Sequence, residues 1–200
     1  MTNRFPDDVH EESWCRLPLV ERDDLPPGAQ AIYDDHNDPD GNSHAGMRGP
    51  GGVRLHSPRL AELSRAAAYY LRHETGLAPR HREVAILTTA REFDSRFEWQ
   101  QHERVGKREG VPAETIDAIK HRKPVDGLDP TDALIVRVGR QLWRDHRLSS
   151  ELYADGIRVF GAQKFLDLIA NMGAYSATAI LLAAVDIQLP PDEEPLLPVP

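Results

Sequence analysis

Cysteine is nearly absent from this 200-residue chain, which contains a single one, Cys15. One thiol cannot form an intramolecular disulfide, and it excludes dithiol redox chemistry within one chain. Basic residues are also few, because 24 Lys and Arg stand against 32 Asp and Glu, giving a formal net charge of −8. This balance disfavours nucleic acid as a partner, since nucleic-acid binders need a basic patch. A local cluster of Arg or His can still attract a small anionic ligand.

Export and membrane signals are also lacking. The start of the chain, MTNRFPDDVHEESW, is polar and acidic and has no apolar stretch of the kind found in secretory signals. The uncharged run over residues 168–185 is just long enough to cross a bilayer, but polar residues dilute it and Asp167 and Asp186 flank it. We therefore predict a buried core helix here, in a soluble, cytoplasmic protein with no membrane partner.

The first part of the chain differs in composition from the rest. Residues 1–57 are rich in Pro, Gly, Asp and His, and predict an irregular segment with one short helix over residues 27–36. The glycine-rich stretch 41–52 predicts no regular structure. It is either a surface connection or a flap that brings Arg48 or His44 to a site.

Residues 58–189 have the apolar spacing and the start signals of helices, such as Ser57-Pro58 and Asp129-Pro130. Strand patterns are hard to find, so we predict an all-α bundle of about seven or eight helices. A proline-rich acidic tail, residues 190–200, follows it. The helices predicted in the bundle run approximately over residues 58–75, 79–93, 95–110, 112–121, 129–146, 149–160 and 163–187.

Ionisable residues occupy an inward helix face within residues 80–110. On a helical wheel, Glu98 and His102 share a face with Trp99 and Val105, whereas Gln100 falls on the opposite, solvent side. Glu98 and His102 are four residues apart, so their side chains can meet. An ordinary helical pair of this kind contributes only a few tenths of a kcal/mol. Burying charge is costly, so the inward position favours a functional Glu98–His102 pair. Such a pair has perturbed pKa values and can transfer a proton.

Four sequence blocks resemble the carboxymuconolactone decarboxylase and alkylhydroperoxidase D-like family. They are REVAIL at 82–87, FEWQQH at 97–102, GVPAETI at 110–116 and the later FGAQKFLDLIANMGAYSATAILLAAVDI. The similarity covers approximately residues 58–189. It implies the family's helical fold and assembly of identical subunits, usually as a trimer or hexamer.

The peroxidase branch of this family is similar to the pattern Glu-x11-Cys-x2-Cys-x3-His. Laid on this chain, the pattern places Glu83 at the glutamate and His102 at the histidine, but Ser95 and Glu98 at the two cysteines. Thiol peroxidase activity is therefore disfavoured. The remaining site, Glu83, Glu98 and His102, resembles that of the non-thiol members with an EWxxH pattern.

The decarboxylase branch implies an acid/base enzyme that acts on a small carboxylated substrate and needs no metal or organic cofactor. We predict that His102 is the general acid/base and that Glu98 holds its tautomer or shares its proton. Glu83 is predicted to orient the histidine or polarise water. The predicted substrate-binding residues are Arg91, Arg48, Trp99 and Tyr175, with Arg91 the favoured anchor among Arg72, His73, His81, Arg91 and Arg48.

Three questions stay open at this point. Trp99 and Tyr175 could wall a pocket or pack in the core. Glu83, Glu98 and His102 have ligand-type side chains, so a metal-dependent lyase or hydrolase is an alternative. A non-catalytic binding or assembly protein on the same fold is another, and the sequence does not distinguish decarboxylation from isomerisation, hydration or lactone opening.

Overall fold

The computed structural model describes residues 5–38 and 45–198, so His44 lies outside the described residues. Within these ranges the chain is all-α, as predicted, with eight α-helices, two short 3-10 helices and no strand beyond an isolated bridge between His10 and Cys15. The helices are α1 (Pro27–Asn37), α2 (Pro50–Leu55), α3 (Pro58–His73), α4 (Pro79–Glu92), α5 (Arg96–Arg108), α6 (Ala113–Lys120), α7 (Pro130–Asp145) and α8 (Ser150–Ala184).

The chain divides into two compact units, each with its own core. The first comprises the described parts of 1–70 together with 180–194, and the second comprises 71–179 with the described part of 195–200. The division falls within α3, whereas the composition of the sequence changes near residue 57. The buried core of the first unit consists of Leu25, Ala29, Ile32, Leu55 and Ala61.

Helix α2 begins in the glycine-rich stretch for which we predicted no regular structure, and that prediction was wrong. Pro50 stands in its first turn, where the missing N–H of proline costs nothing. A Cβ atom on Gly52 would lie 1.9 Å from the Met47 carbonyl oxygen, and one on Gly51 would lie 2.2 Å from the His36 ring. The glycines here allow close packing of a short helix and do not mark an irregular loop.

Helix α4 is at the centre of the second unit, where it packs against α5, α6 and α7. Every residue from Glu83 to Arg91 is buried, which is typical of a helix surrounded by others. Side chains of α8, with Leu197 from the tail, complete this core. The polar residues of α4 are therefore placed inside the unit.

The predicted helix starts at Asp129 and Ser149 are confirmed. Asp129 Oδ1 accepts the backbone N–H groups of Thr131 and Asp132 at 3.0 and 3.1 Å, and Ser149 Oγ accepts that of Leu152 at 3.2 Å. The last two predicted helices form α8, which is interrupted at Gly161 by a φ of 73°.

Helix α8 has the length and apolar composition of a membrane-crossing helix, and it was the segment that raised the same question in the sequence. Half of the most apolar 18-residue stretch of this helix is buried inside the protein. Such burial agrees with the prediction of a core helix.

The side chain of Gln100 was predicted on the solvent side of α5, and that prediction was wrong. Gln100 is buried, and its Oε1 accepts the backbone N–H of Leu196 at 3.0 Å. The neighbouring Leu197 is buried in the core of the second unit. Tail residues thus cover a part of α5 that the helical wheel assigned to solvent.

Candidate active site

The close approach of α5 to α4 depends on a glycine. A Cβ atom on Gly106 would meet Leu87 Cδ1 at 3.3 Å and Glu83 Cβ at 3.7 Å, so a larger residue would press directly on α4. His102 lies one turn earlier on the same face of α5. The small residue at position 106 therefore lets His102 reach the carboxylate of Glu83.

Glu83 and His102 form a buried pair, with relative exposures of 3% and 9%. The distance between Glu83 Oε2 and His102 Nδ1 is 2.7 Å. Because a carboxylate only accepts hydrogen bonds, Nδ1 carries a proton and donates it, which orients the ring. This contact belongs to Glu83, the residue that the sequence analysis predicted to orient the histidine or to polarise water.

Tyr175 of α8 packs edge-on against the His102 ring, with centroids 4.9 Å apart and an interplanar angle of 88°. Burial raises the pKa of the Tyr175 hydroxyl to about 12, and the charges of Glu83 and Glu98 add to this rise. The positive charge of Arg72 opposes this rise. The hydroxyl is thus neutral at ordinary pH and lies within electrostatic reach of both carboxylates and one guanidinium.

Arg72 stands at the end of α3, and the backbone there is held by α4. Arg82 Nη1 donates to the carbonyl oxygen of Arg72 at 2.6 Å, while Arg82 Nε lies 4.0 Å from Glu83 Oε1. The sequence prediction included Arg72 among the possible anchors but favoured Arg91. The structure brings Arg72, and not Arg91, next to Tyr175.

Arg91 lies eight residues after Glu83 on α4, which is about 12 Å along the helix axis. Its guanidinium is paired with Asp94, and its carbonyl oxygen accepts a hydrogen bond from Arg122. Burial lowers the pKa of Arg91, and the neighbouring charge of Arg122 lowers it further. Arg91 therefore belongs to an ionic cluster at the other end of α4, away from the Glu83–His102 pair.

Two further predicted binding residues have other contacts. Trp99 is fully buried in the core, and its Nε1 donates to Glu103 Oε2 at 2.6 Å. Arg48 belongs to the first unit, where Nε donates to the carbonyl oxygen of Glu12 and the guanidinium lies over the Trp14 ring. Trp99 is therefore a core residue, and the side chain of Arg48 contacts residues of the first unit.

Glu98, the third predicted catalytic residue, lies on α5 one turn before His102 and is buried. Its charge acts on the Tyr175 hydroxyl. The set that the structure brings together is therefore Glu83, Glu98 and His102, with Tyr175 and Arg72 beside them. A metal-ligand geometry occurs elsewhere among the described residues, where His81, Asp129 and Asp132 each offer an atom within 4.8 Å of the others.

Comparison with models of known protein families and with curated proteins finds no match to this chain. The likeness to the carboxymuconolactone decarboxylase family therefore stays a prediction, carried by the sequence blocks described above. The all-α class is confirmed by the structure. The chemistry has to be argued from the site itself.

Proposed function

We propose that this protein is a cofactor-independent acid/base enzyme that acts on a small carboxylated substrate, as a decarboxylase of the carboxymuconolactone type. The observation that carries the proposal is the buried contact of 2.7 Å between Glu83 Oε2 and His102 Nδ1. A histidine oriented by a carboxylate in a semi-dry site is a general arrangement for moving protons.

The proposed reaction uses His102 as the proton donor. A substrate carboxylate next to an electron sink loses CO2, and the electron pair of the broken carbon–carbon bond stays on the substrate as an enolate. Because Nδ1 faces Glu83, we assign Nε2 of the imidazolium to protonate the substrate carbon. Glu83 stabilises the imidazolium before this transfer, and a proton from solvent restores it afterwards.

Arg72 is the proposed anchor for the substrate carboxylate or the developing enolate. A guanidinium recognises a carboxylate with two parallel hydrogen bonds and stays charged at any working pH. The Tyr175 hydroxyl, neutral because burial raises its pKa to about 12, can donate a hydrogen bond to the same anion. Such prearranged donors contribute most where negative charge develops during the reaction.

The test is CO2 release by the purified full chain from a panel of small carboxylated lactones and β-keto acids. For any substrate that is turned over, we expect His102→Gln to lower kcat by about 10²- to 10⁴-fold, the usual contribution of a positioned acid or base. Arg72→Gln should mainly raise KM if it anchors the substrate. Glu83→Gln should lower kcat and change the dependence of the rate on pH.

The matched control is His121→Gln, at the residue that directly follows α6. His121 also pairs with a carboxylate, at 3.7 Å from Asp117, but the pair is exposed to solvent. We expect this variant to keep the activity of the wild type. Folded His102→Gln and Glu83→Gln proteins with undiminished turnover would exclude the proposed role. Binding of a panel compound without turnover, lost in Arg72→Gln, would indicate a non-catalytic binding protein instead.

A further inference from the structure

A second polar cluster lies at the N-terminal ends of α4 and α7, apart from the proposed active site. His81 is in the first turn of α4, Asp129 caps α7, and Asp132 is in the first turn of α7. One nitrogen or oxygen atom from each of these residues lies within 4.8 Å of the other two. A histidine and two carboxylates in this arrangement have the donor atoms of a metal site.

Asp132 has an unusual environment for a carboxylate. It is 0% exposed, and its Oδ2 accepts hydrogen bonds from Arg80 Nη2 at 2.7 Å and Thr115 Oγ1 at 3.0 Å. Its Oδ1 is equally buried but has no hydrogen-bond partner among the residues that the structure describes. Buried carboxylate oxygens are almost always satisfied, so this atom calls for a positively charged or hydrogen-donating ligand.

We propose that His81, Asp129 and Asp132 bind one divalent transition-metal ion, of the Zn²⁺, Co²⁺ or Mn²⁺ class, with Asp132 Oδ1 as the buried ligand. An imidazole nitrogen together with carboxylate oxygens suits these ions. Mg²⁺ and Ca²⁺ prefer oxygen ligands alone and are therefore disfavoured. Three protein ligands leave coordination positions for water.

The geometry requires only small movements of two side chains, those of His81 and Asp129. Ligand atoms bound to one ion at 2.0–2.2 Å are about 3–4 Å apart from each other. The buried Asp132 is fixed by Arg80 and Thr115, whereas His81 is half-buried and Asp129 is exposed. Rotation of these two side chains can therefore bring their ligand atoms towards Asp132 Oδ1.

The electrostatics of the cluster also allow a cation. The two carboxylates carry two negative charges, and Arg80, which lies 2.7 Å from Asp132 and 3.6 Å from Asp129, offsets one of them. Helix N-termini carry partial positive charge and oppose a cation, so we expect moderate affinity.

This site is independent of the proposed active site. His81 and Glu83 are two residues apart on α4, which places them about 200° apart around the helix. His81 is in α4, whereas Asp129 and Asp132 belong to the start of α7, so a bound ion would join parts of the chain that are distant in the sequence. We therefore assign the ion a structural role in fastening the start of α7 to the start of α4.

The experiment uses the full chain, without a histidine tag, titrated with CoCl2 and with ZnCl2. We expect 1:1 binding of Co²⁺, with visible absorption from a nitrogen and oxygen ligand set, and a rise in Tm of about 5 °C at 100-fold excess over Kd. The same excess of MgCl2 should leave Tm unchanged. His81→Ala should weaken Co²⁺ binding at least about tenfold and remove the rise in Tm.

Two controls distinguish this site from the other histidines. His121→Ala removes an exposed histidine and should bind Co²⁺ as the wild type does, and His102→Ala should do the same. Asp132→Asn, if it folds, should also lose binding, while His81→Ala tests the site without touching a buried residue. Absence of binding at 1:1, or binding that survives in His81→Ala but not in His102→Ala, would overturn the proposal.

Discussion

Two buried glutamates of the second unit, Glu83 and Glu103, have the same exposure of 3% but very different partners. Glu103 on α5 accepts hydrogen bonds from Trp99 Nε1 at 2.6 Å and Lys107 Nζ at 2.7 Å, and Lys120 Nζ lies at 2.7 Å. Its partners are thus two permanent cations and an indole. These partners neutralise the charge of the carboxylate and engage both of its oxygens, so it is poorly placed to exchange a proton with a substrate.

Burial raises the pKa of Glu103, but the hydrogen bonds from Lys107, Lys120 and Trp99 outweigh it, so its pKa is below the ordinary value. Glu83 instead contacts the imidazole of His102, the side chain proposed as the general acid/base. The comparison teaches that burial of a carboxylate alone does not mark a site. The kind of partner separates a carboxylate that fastens helices from one that can support proton transfer.

The largest expected effect on stability is that of Glu103→Gln. Removing the charge leaves Lys120, which is mostly buried, without its counterion, so we expect the free energy of unfolding to fall by about 3 kcal/mol. Urea denaturation followed by circular dichroism measures the change. Lys107 is mostly exposed and adds little to the loss.

Glu83→Gln is the matching substitution in the same measurement. Neutral His102 can still donate its Nδ1–H to the amide oxygen of glutamine, so we expect a loss of only about 1 kcal/mol. Equal losses of unfolding free energy in the two variants would contradict the distinction between the structural carboxylate of Glu103 and the proposed catalytic carboxylate of Glu83.

The next largest effect concerns Gly106, which allows α5 to approach α4 closely enough for His102 to contact Glu83. Gly106→Val would press on Leu87 Cδ1, already 3.3 Å from a Cβ atom at this position, and should cost about 1–3 kcal/mol. It should also lower activity, because α5 moves away from α4. Gly173→Val is the control, since a Cβ atom there meets nothing within 4 Å, and it should leave both properties nearly unchanged.

A smaller effect follows from the lowered pKa of Glu103. A carboxyl group whose pKa is depressed in the folded state contributes stability above its ordinary value of 4.5, and this contribution is lost as the pH falls through the folded pKa. The stability difference between wild type and Glu103→Gln should therefore shrink between about pH 5 and pH 3. A difference that stays constant over this range would mean that the charge of Glu103 is not what stabilises the cluster.

The smallest expected change is spectroscopic. Burial raises the pKa of Tyr175 from 10.0 to about 12, so its phenolate should form late in an alkaline titration. Because folding disfavours the charged form, stability is present below pH 10.0 and falls as the pH rises towards about 12. The tyrosinate absorbance of Tyr175→Phe should lack this late step, and an unchanged titration curve would place another tyrosine there.

Local chemistry explains which parts of the fold could be predicted from the sequence. The starts of α7 and α8 were placed correctly because Asp129 and Ser149 cap backbone N–H groups only two or three residues away. The break at Gly161 also coincides with the end of a predicted helix. Gln100 was misplaced because its partner, the N–H of Leu196, is 96 residues distant and no helical wheel includes it.

The candidate site was predicted in part for the same reason. Glu98 and His102 lie on one helix, where their spacing placed them together, and the resemblance to the family pattern added Glu83 from the helix before it. The sequence favoured Arg91 over Arg72 as the substrate anchor. The proximity of Arg72 to Tyr175 of α8 is a tertiary contact, which the spacing within α3 does not reveal. The environment of Asp132 carried no sequence signal, because an aspartate in a first helical turn is ordinarily exposed to solvent.

The position of α4 at the centre of its unit has a consequence for the order in which the chain folds. Glu83 and His102 are 19 residues apart, whereas the contact between Arg80 and Asp132 closes a loop of 52. Contacts between near neighbours form with a smaller loss of chain entropy. We therefore expect the hairpin of α4 and α5 to belong to the folding nucleus, so that the Glu83–His102 contact forms before α7 docks.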